Sequence, residues 1–310
     1  MKQIENSHPD SALYIGVDIG GTAVKYGVVD RNLTLLHKEK EPTEKSGAEA
    51  LMDRVARTCQ DLMKAYPVCG VGISVPGFVN AKRGVVRYSS NLPFRDTPIR
   101  EYLESRLGVP VRIGNDANCA ALGEFFTSRD RKVSNMVMLT IGTGVGGGVI
   151  LNGRIYDGTN GDGGELGHMI THARGLCCPC GQKGCLEQYA SVSALCRMAK
   201  EKAKQYPKSR LAQIGEDRLN GETVFEAARQ GCRSAVSVIR TWMEEIAIGV
   251  ASVRMIFAPD EVVLAGGVTE EGEAFLEPIA RMCPSVPIRL AKLRNDAGII
   301  GAAMLHREEV

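Results

Sequence analysis

Twice in this 310-residue chain a run of apolar and β-branched residues stops at a cluster of glycines and then begins again. The first run is Leu13 to Asp18, followed by a Gly-Gly-Thr turn and a second run from Ala23 to Asp30. The second is Met136 to Ile141, followed by GTGVGGG from Gly142 to Gly148 and a continuation to Leu151. Each reads as a strand, a tight turn and a returning strand. Repetition of the unit in both halves implies two related lobes. The second turn also satisfies GxGxxG, but a dinucleotide fingerprint needs a helix after its glycines. Here Val149, Ile150 and Leu151 continue a strand, so that reading is rejected. A phosphate loop of the Walker type is absent as well, because no GKS or GKT occurs.

The rest of the chain alternates strand and helix. Leu51, Val55, Cys59, Leu62 and Met63 have helical spacing within 46–66, and Val68 to Val75 reads as a buried strand closed by Pro76-Gly77. A helix over 97–107, a strand over 111–113 and a helix over 117–126 follow. Beyond the second glycine turn come helices over 191–205, 221–230 and 234–257, a strand at 261–265, a helix at 271–282, a strand at 286–290 and a last helix at 297–306. Pro207 and the polar run to Asn220 mark a loop. The alternation argues for an α/β layer architecture, and the length suits one large or two ordinary domains.

Composition excludes several functions. A net charge of +2 gives no electrostatic case for binding a polyanion. No segment reaches the length of a membrane span, and MKQIENSHPDS is polar where a secretion signal is apolar, so a cytoplasmic protein is expected. Of the ten cysteines, Cys59, Cys69, Cys119, Cys196, Cys232 and Cys283 are scattered and read as small reduced residues.

The remaining cysteines lie in one stretch, ELGHMITHARGLCCPCGQKGCLEQYAS, Glu165 to Ser191. His168 followed by Cys178, Cys180 and Cys185 is a ligand set that closes a tetrahedral zinc site, with Gly181 and Gly184 where the chain must turn for the sulfurs to converge. A fully ligated zinc has no open position, so the metal is expected to be structural, with Cys177 as an alternative ligand. A loop held this way presents Glu165, His168 and Glu187. His172 is left out: in an extended strand it would lie about 13 Å from His168, too far to share one ion.

Three further elements point to a phosphorylated ligand. DIGGTAVKYGVVD places Asp18 at a strand end just before Gly20, Gly21 and Thr22, where successive amides can form an anion nest to which Thr22 and Lys25 add donors. The GTG of the second turn, Gly142, Thr143 and Gly144, repeats the device. LAGGV, Leu264 to Val268, puts Gly266 and Gly267 where a strand meets a helix and a flat nucleoside can approach the backbone. Asp116, in GND at the junction of a strand and a helix, is the carboxylate best placed to accept a proton from a hydroxyl, although its ordinary role there would be a helix cap.

With DIGGT, GISVPGFV, NLPF, NDANCAALGE, TIGTGVGGG, GELGH, CPCGQKGCLEQYAS and LAGGV in this order, nearly the whole chain resembles the ROK family (repressor, open reading frame, kinase), and within it the bacterial glucokinases. The resemblance implies two ribonuclease H-like, actin-like ATPase domains around a cleft, with a zinc-binding loop. It divides the chain into 1–116 with 295–310 and a larger 117–294. The implied activity is ATP-dependent phosphorylation of the 6-hydroxyl of a hexose, glucose first, with N-acetylmannosamine, N-acetylglucosamine or allose as alternatives and a nonenzymatic sugar sensor as the different class. Resemblance assigns proton abstraction to Asp116 and sugar contacts to Asn91, Asn115, Asp116, Glu165, His168 and Glu187. It places the magnesium of ATP on Asp18 through water, the phosphates on Gly20, Gly21, Thr22, Lys25, Gly142, Thr143 and Gly144, and the adenosine on Gly266 and Gly267. It further implies a homodimer or homotetramer. A family repressor carries a helix-turn-helix before the first turn, and only 17 residues precede Asp18 here, so no nucleic-acid partner is expected.

Overall fold

The computed structural model describes residues 12–128 and 132–307. The chain divides into two compact units, the first comprising 1–133, 148–164 and 292–310, the second 134–147 and 165–291.

The first unit opens with the expected glycine-turn hairpin. β1 (Leu13–Ile19) and β2 (Ala23–Val29) pair antiparallel, and β3 (Leu35–Pro42) adds to the edge of β2. Helix α1 (Ala48–Ala65) crosses to β4 (Val68–Val75), which runs parallel to β1. A small antiparallel sheet of β5 (Phe78–Asn80), β6 (Val85–Tyr88) and β7 (Arg95–Thr97) intervenes. Helix α2 (Ile99–Leu107) then leads to β8 (Val111–Asn115), parallel to β4, and α3 (Asp116–Phe126) begins at once. The resulting sheet has the order β3-β2-β1-β4-β8. Ile15, Val17, Ile73 and Val71 are fully buried in it, and Leu51, Val55 and Cys59 of α1 join the same core, as their helical spacing requires.

The second hairpin is β9 (Met136–Ile141) and β10 (Val145–Leu151), with the two-residue β11 (Arg154–Ile155) after it. Helices α4 (Glu187–Ala190), α5 (Val192–Gln205), α6 (Arg210–Ile214), α7 (Gly221–Arg229) and α8 (Arg233–Phe257) precede β12 (Glu261–Ala265), which is parallel to β9. Helix α9 (Glu273–Met282) and β13 (Ile288–Leu290) complete a sheet of order β11-β10-β9-β12-β13, and α10 (Ala297–Met304) ends the described chain. In the second unit Trp242 of α8 is fully buried between Phe225 of α7 and Phe275 of α9, with ring centroids 6.2 and 5.8 Å away.

Both hairpins and every long element form as the spacing predicts, and the differences have local causes. The β5-β6-β7 sheet escapes periodicity because its strands are three or four residues long among Gly, Asn and Pro. The expected 207–220 loop contains α6, started by the Ser209 side chain accepting from the Ala212 amide. The expected 271–282 helix begins only at Glu273, because Gly272 takes φ +61° and ends a 3-10 turn over Gly267–Glu271. A division after Asp116 is not what the contacts give: α3 packs against α10, and α10 lies on β1 and β4, so all four belong to the first unit. That approach is close enough that a Cβ on Gly72 would stand 1.8 Å from the Ala302 carbonyl oxygen.

Candidate functional site

In the first unit, register builds the acidic centre. Asp18 on β1 lies directly across from Lys25 on β2 and beside Ser74 on β4. Its Oδ2 accordingly meets Lys25 Nζ at 3.1 Å, while Ser74 Oγ donates to Oδ1 at 3.0 Å. A carboxylate has about four lone-pair sites, so these two partners leave room for waters of a hydrated cation. The turn after Asp18 is pinned by Thr43: its Oγ1 donates to the Gly20 carbonyl at 2.6 Å and its amide to the Thr22 carbonyl at 3.1 Å. Asn91 sits against this turn, since a Cβ on Gly21 would lie 3.3 Å from Asn91 Cβ.

At the end of β8 the capping role that the sequence left open to Asp116 falls to its neighbour. Asn115, not Asp116, caps α3: its Oδ1 accepts from the Ala117 amide at 2.9 Å and the Asn118 amide at 3.2 Å, and its Nδ2 donates to the Gly77 carbonyl at 3.0 Å. Asp116 is therefore the first helical residue, its Oδ1 accepting from the Ala117 amide at 2.9 Å. The residue is open at the surface, yet crowding around its carboxyl removes enough bulk water to raise its pKa, and nearby Asp18 raises it further; the Ala117 amide and the Asn115 side chain oppose this. A carboxylate relieved of capping and shifted toward neutrality is suited to taking up a proton.

In the second unit the glycine turn is held from two sides. The Gly142 carbonyl accepts from the Val192 amide at 2.8 Å, and the Thr143 carbonyl from Ser193 Oγ at 2.7 Å. Glu187 Oε2 accepts from the Val145 amide at 3.0 Å, so this candidate sugar contact is tied to the turn itself. Ser191 caps α5, and the indole of Trp242 donates to the Ser191 carbonyl at 2.8 Å, which links the aromatic core to the turn. Gly266, at φ +103°, could not carry a side chain, because its Cβ would lie 2.0 Å from the Ile141 carbonyl oxygen. Gly267 has open space on its side-chain face.

Gly142, Thr143 and Gly267 line a pocket of about 590 Å³ together with Val192, Leu195 and Phe225. Apolar walls beside bare glycine backbone fit a flat heterocycle, and the volume lies in the range of small-molecule sites, roughly 300–1,000 Å³. Sequence reading placed the glycines but missed Val192, Leu195 and Phe225, which look like ordinary core positions until α5 and α7 are brought to the turn. It also missed Ser74, although a lone hydroxyl in the apolar GISV run was a visible signal.

The cysteine loop converges as its spacing predicts. One ligand atom from each of His168, Cys178, Cys180 and Cys185 lies within 4.8 Å of every other. His168 Nδ1 is 3.6 Å from Cys178 Sγ, and the Cys180 and Cys185 sulfurs are 3.6 Å apart. The edge of a tetrahedron with metal–sulfur bonds of about 2.3 Å is about 3.8 Å, so the set fits a cation of the zinc type. Without one, burial and then the neighbouring thiols Cys180 and Cys178 push the Cys185 thiol up to about 12. Cys177 is exposed and stands outside the set, paired by a bridge with Lys183. His172 is outside it too: its ring stacks on Tyr189 at 3.9 Å and its Nε2 lies 3.5 Å from Glu245. Glu165 precedes the 3-10 turn Leu166–His168, its carbonyl accepting from the His168 amide at 3.0 Å, and is exposed.

The model of the ROK family matches residues 14–309. A glucokinase of Streptomyces coelicolor is 37% identical over 311 residues, with 96% of this chain and 98% of that one covered. An N-acetyl-D-glucosamine kinase of Haemophilus influenzae is 31% identical over 312 residues, covering 94% of this chain and 99% of its own. Among solved structures, a ROK family glucokinase from Streptomyces griseus in complex with glucose and AMPPNP superposes with a TM-score of 0.78 at 35% identity, over 96% of this chain and all of that one.

Proposed function

The chain belongs to the ROK family, and from that premise we propose that it transfers the γ-phosphoryl group of ATP to the 6-hydroxyl of glucose. The observation that carries the catalytic assignment is the capping of α3 by Asn115, which leaves the Asp116 carboxylate free for chemistry. Asp116 accepts the hydroxyl proton as the sugar oxygen bonds to the γ-phosphorus and the bond to the ADP oxygen breaks. Asn115 holds Asp116 in place and, with Asn91, Glu165, His168 and Glu187, contacts sugar hydroxyls. Gly20, Gly21, Thr22, Gly142, Thr143 and Gly144 receive the phosphates, and Gly266, Gly267 and Phe225 the adenosine. Lys25, held on Asp18, acts on the same phosphate turn.

Asp18 would hold magnesium through water, and that cation supplies charge neutralisation on the phosphates. His168, Cys178, Cys180 and Cys185 would hold zinc, which supplies rigidity to the loop and fixes the His168 ring with Nε2 left for the sugar. The same reading expects a cytoplasmic homodimer or homotetramer. An N-acetylhexosamine substrate is the second reading, because the Haemophilus influenzae relative is a kinase of that kind. The test is a coupled assay with glucose, ATP and magnesium. Wild type should turn over and Asp116→Asn should lose about 100-fold or more in kcat with glucose still binding. Near-native turnover in the variant would remove Asp116 from the mechanism.

A further inference from the structure

Beside β8, the strand that ends just before the base, lies a second cavity of about 560 Å³, lined entirely by residues of the first unit. Its floor is the β8 segment Val111 to Gly114, ending one residue before Asn115. Four cations, Lys82, Arg100, Arg112 and Arg154, and two carboxylates, Glu104 and Asp157, face it.

Most of these groups already have partners within the protein. Arg100 donates to the Lys82 carbonyl at 3.1 Å and to the Ala81 carbonyl, and Arg112 to the Leu305 carbonyl at 2.9 Å. Glu104 accepts from the Val111 amide at 2.9 Å, and Asp157 from Asn118 Nδ2 at 3.1 Å. The Lys82 and Arg154 side chains have no hydrogen-bond or ion-pair partner among the described residues, although the Lys82 charge acts on Asp157 and opposes the rise in pKa that burial gives that carboxyl. Two exposed cations whose side chains make no hydrogen bond, two further guanidinium groups and the apolar Val111, Ile113 and Leu305 line a cavity suited to an anion with a compact organic body. The kinase reading gives this cavity no task.

The cavity wall is also continuous with the catalytic elements. Asp157 in the wall holds Asn118, which is buried on the first turn of α3, two residues after the base. Asn118 Oδ1 is buried with no partner among the described residues, so this contact rests on the one hydrogen bond from Nδ2 and a small shift of Asp157 would break it.

We propose that this cavity binds a small organic phosphate monoester, on Lys82 and Arg154, and that occupation lowers turnover by taking the Lys82 charge from Asp157 and displacing that carboxylate from Asn118. The coupling step rests on Asp116 being the base; the binding step does not.

The test separates the two. Calorimetry with phenyl phosphate is run at saturating AMPPNP, which fills the donor pocket and blocks competition there. Wild type should bind, and the double variant Lys82→Ala/Arg154→Ala should bind about tenfold more weakly or worse, the scale of losing one charge-assisted bond or more. Both side chains are exposed, so the variant should keep its melting temperature and its anion-free glucose turnover. In wild type, phenyl phosphate should lower kcat without competing with ATP or glucose, and Asn118→Ala should abolish that inhibition while binding persists. No binding at saturating AMPPNP, or equal affinity in the double variant, overturns the site. Binding with unchanged kcat overturns the coupling, and loss of glucose turnover in anion-free wild type counts against the kinase reading alone.

Discussion

At the scale of single residues, the account turns on how Asn115 and Asp116 share one strand end. Asn115 takes the helix cap, worth about 1 kcal/mol, and Asp116 keeps a carboxyl whose pKa is raised chiefly by loss of water. A base must be ionised to act, so kcat/KM should fall as pH drops through that raised value, with its acid limb above the ordinary aspartate pKa of about 3.9. A pH profile with its limb at or below that figure would speak against the assignment. The sign for stability is the opposite of a salt-bridged carboxylate. With the folded pKa above the unfolded one, the ionised form costs stability once pH rises through the folded value, so Asp116→Asn at neutral pH should not lower the melting temperature. An inactive variant that also melts early would point to a structural role. NDANCAALGE in the sequence marked the pair, but which residue capped and which was free depended on backbone angles that no motif states.

At the scale of elements, the cysteine loop is where packing and chemistry meet. Gly184 takes φ +83°, and a Cβ there would lie 1.8 Å from the His172 carbonyl oxygen, so Gly184→Ala should cost about 2 kcal/mol or more and disturb the thiol cluster one residue away. Metal analysis of protein purified without added zinc should find one zinc per chain in wild type and substantially less in Cys180→Ser, with turnover falling alongside. A metal-free, fully active wild type would dispose of the structural zinc. Spacing alone made this element legible, because ligand residues and turning glycines are local in sequence. The wall of the proposed nucleoside pocket was not, since Val192 and Leu195 come from α5 and Phe225 from α7, helices that meet only in the fold. Truncating that wall with Phe225→Ala should raise KM for ATP with little change in KM for glucose; equal changes in both would mean the helix rather than the pocket had been damaged.

At the scale of the whole molecule, two glycine-turn hairpins in alternating α/β sequence predicted the strand orders β3-β2-β1-β4-β8 and β11-β10-β9-β12-β13 only as a class. The composition of each unit was hidden because α10 returns to β1, β4 and α3 through contacts far apart in sequence. The sugar preference rests on the contacts proposed for Asn91, Asn115, Asp116, Glu165, His168 and Glu187. Groups of this kind, placed to pair with hydroxyls, are left unpaired when a hydroxyl is blocked, which can cost several powers of ten in kcat/KM. The most direct test is kcat/KM for glucose, N-acetylglucosamine and N-acetylmannosamine measured side by side with ATP and magnesium. Glucose should exceed both acetamido sugars; a higher value for either would contradict glucose as the substrate of this kinase.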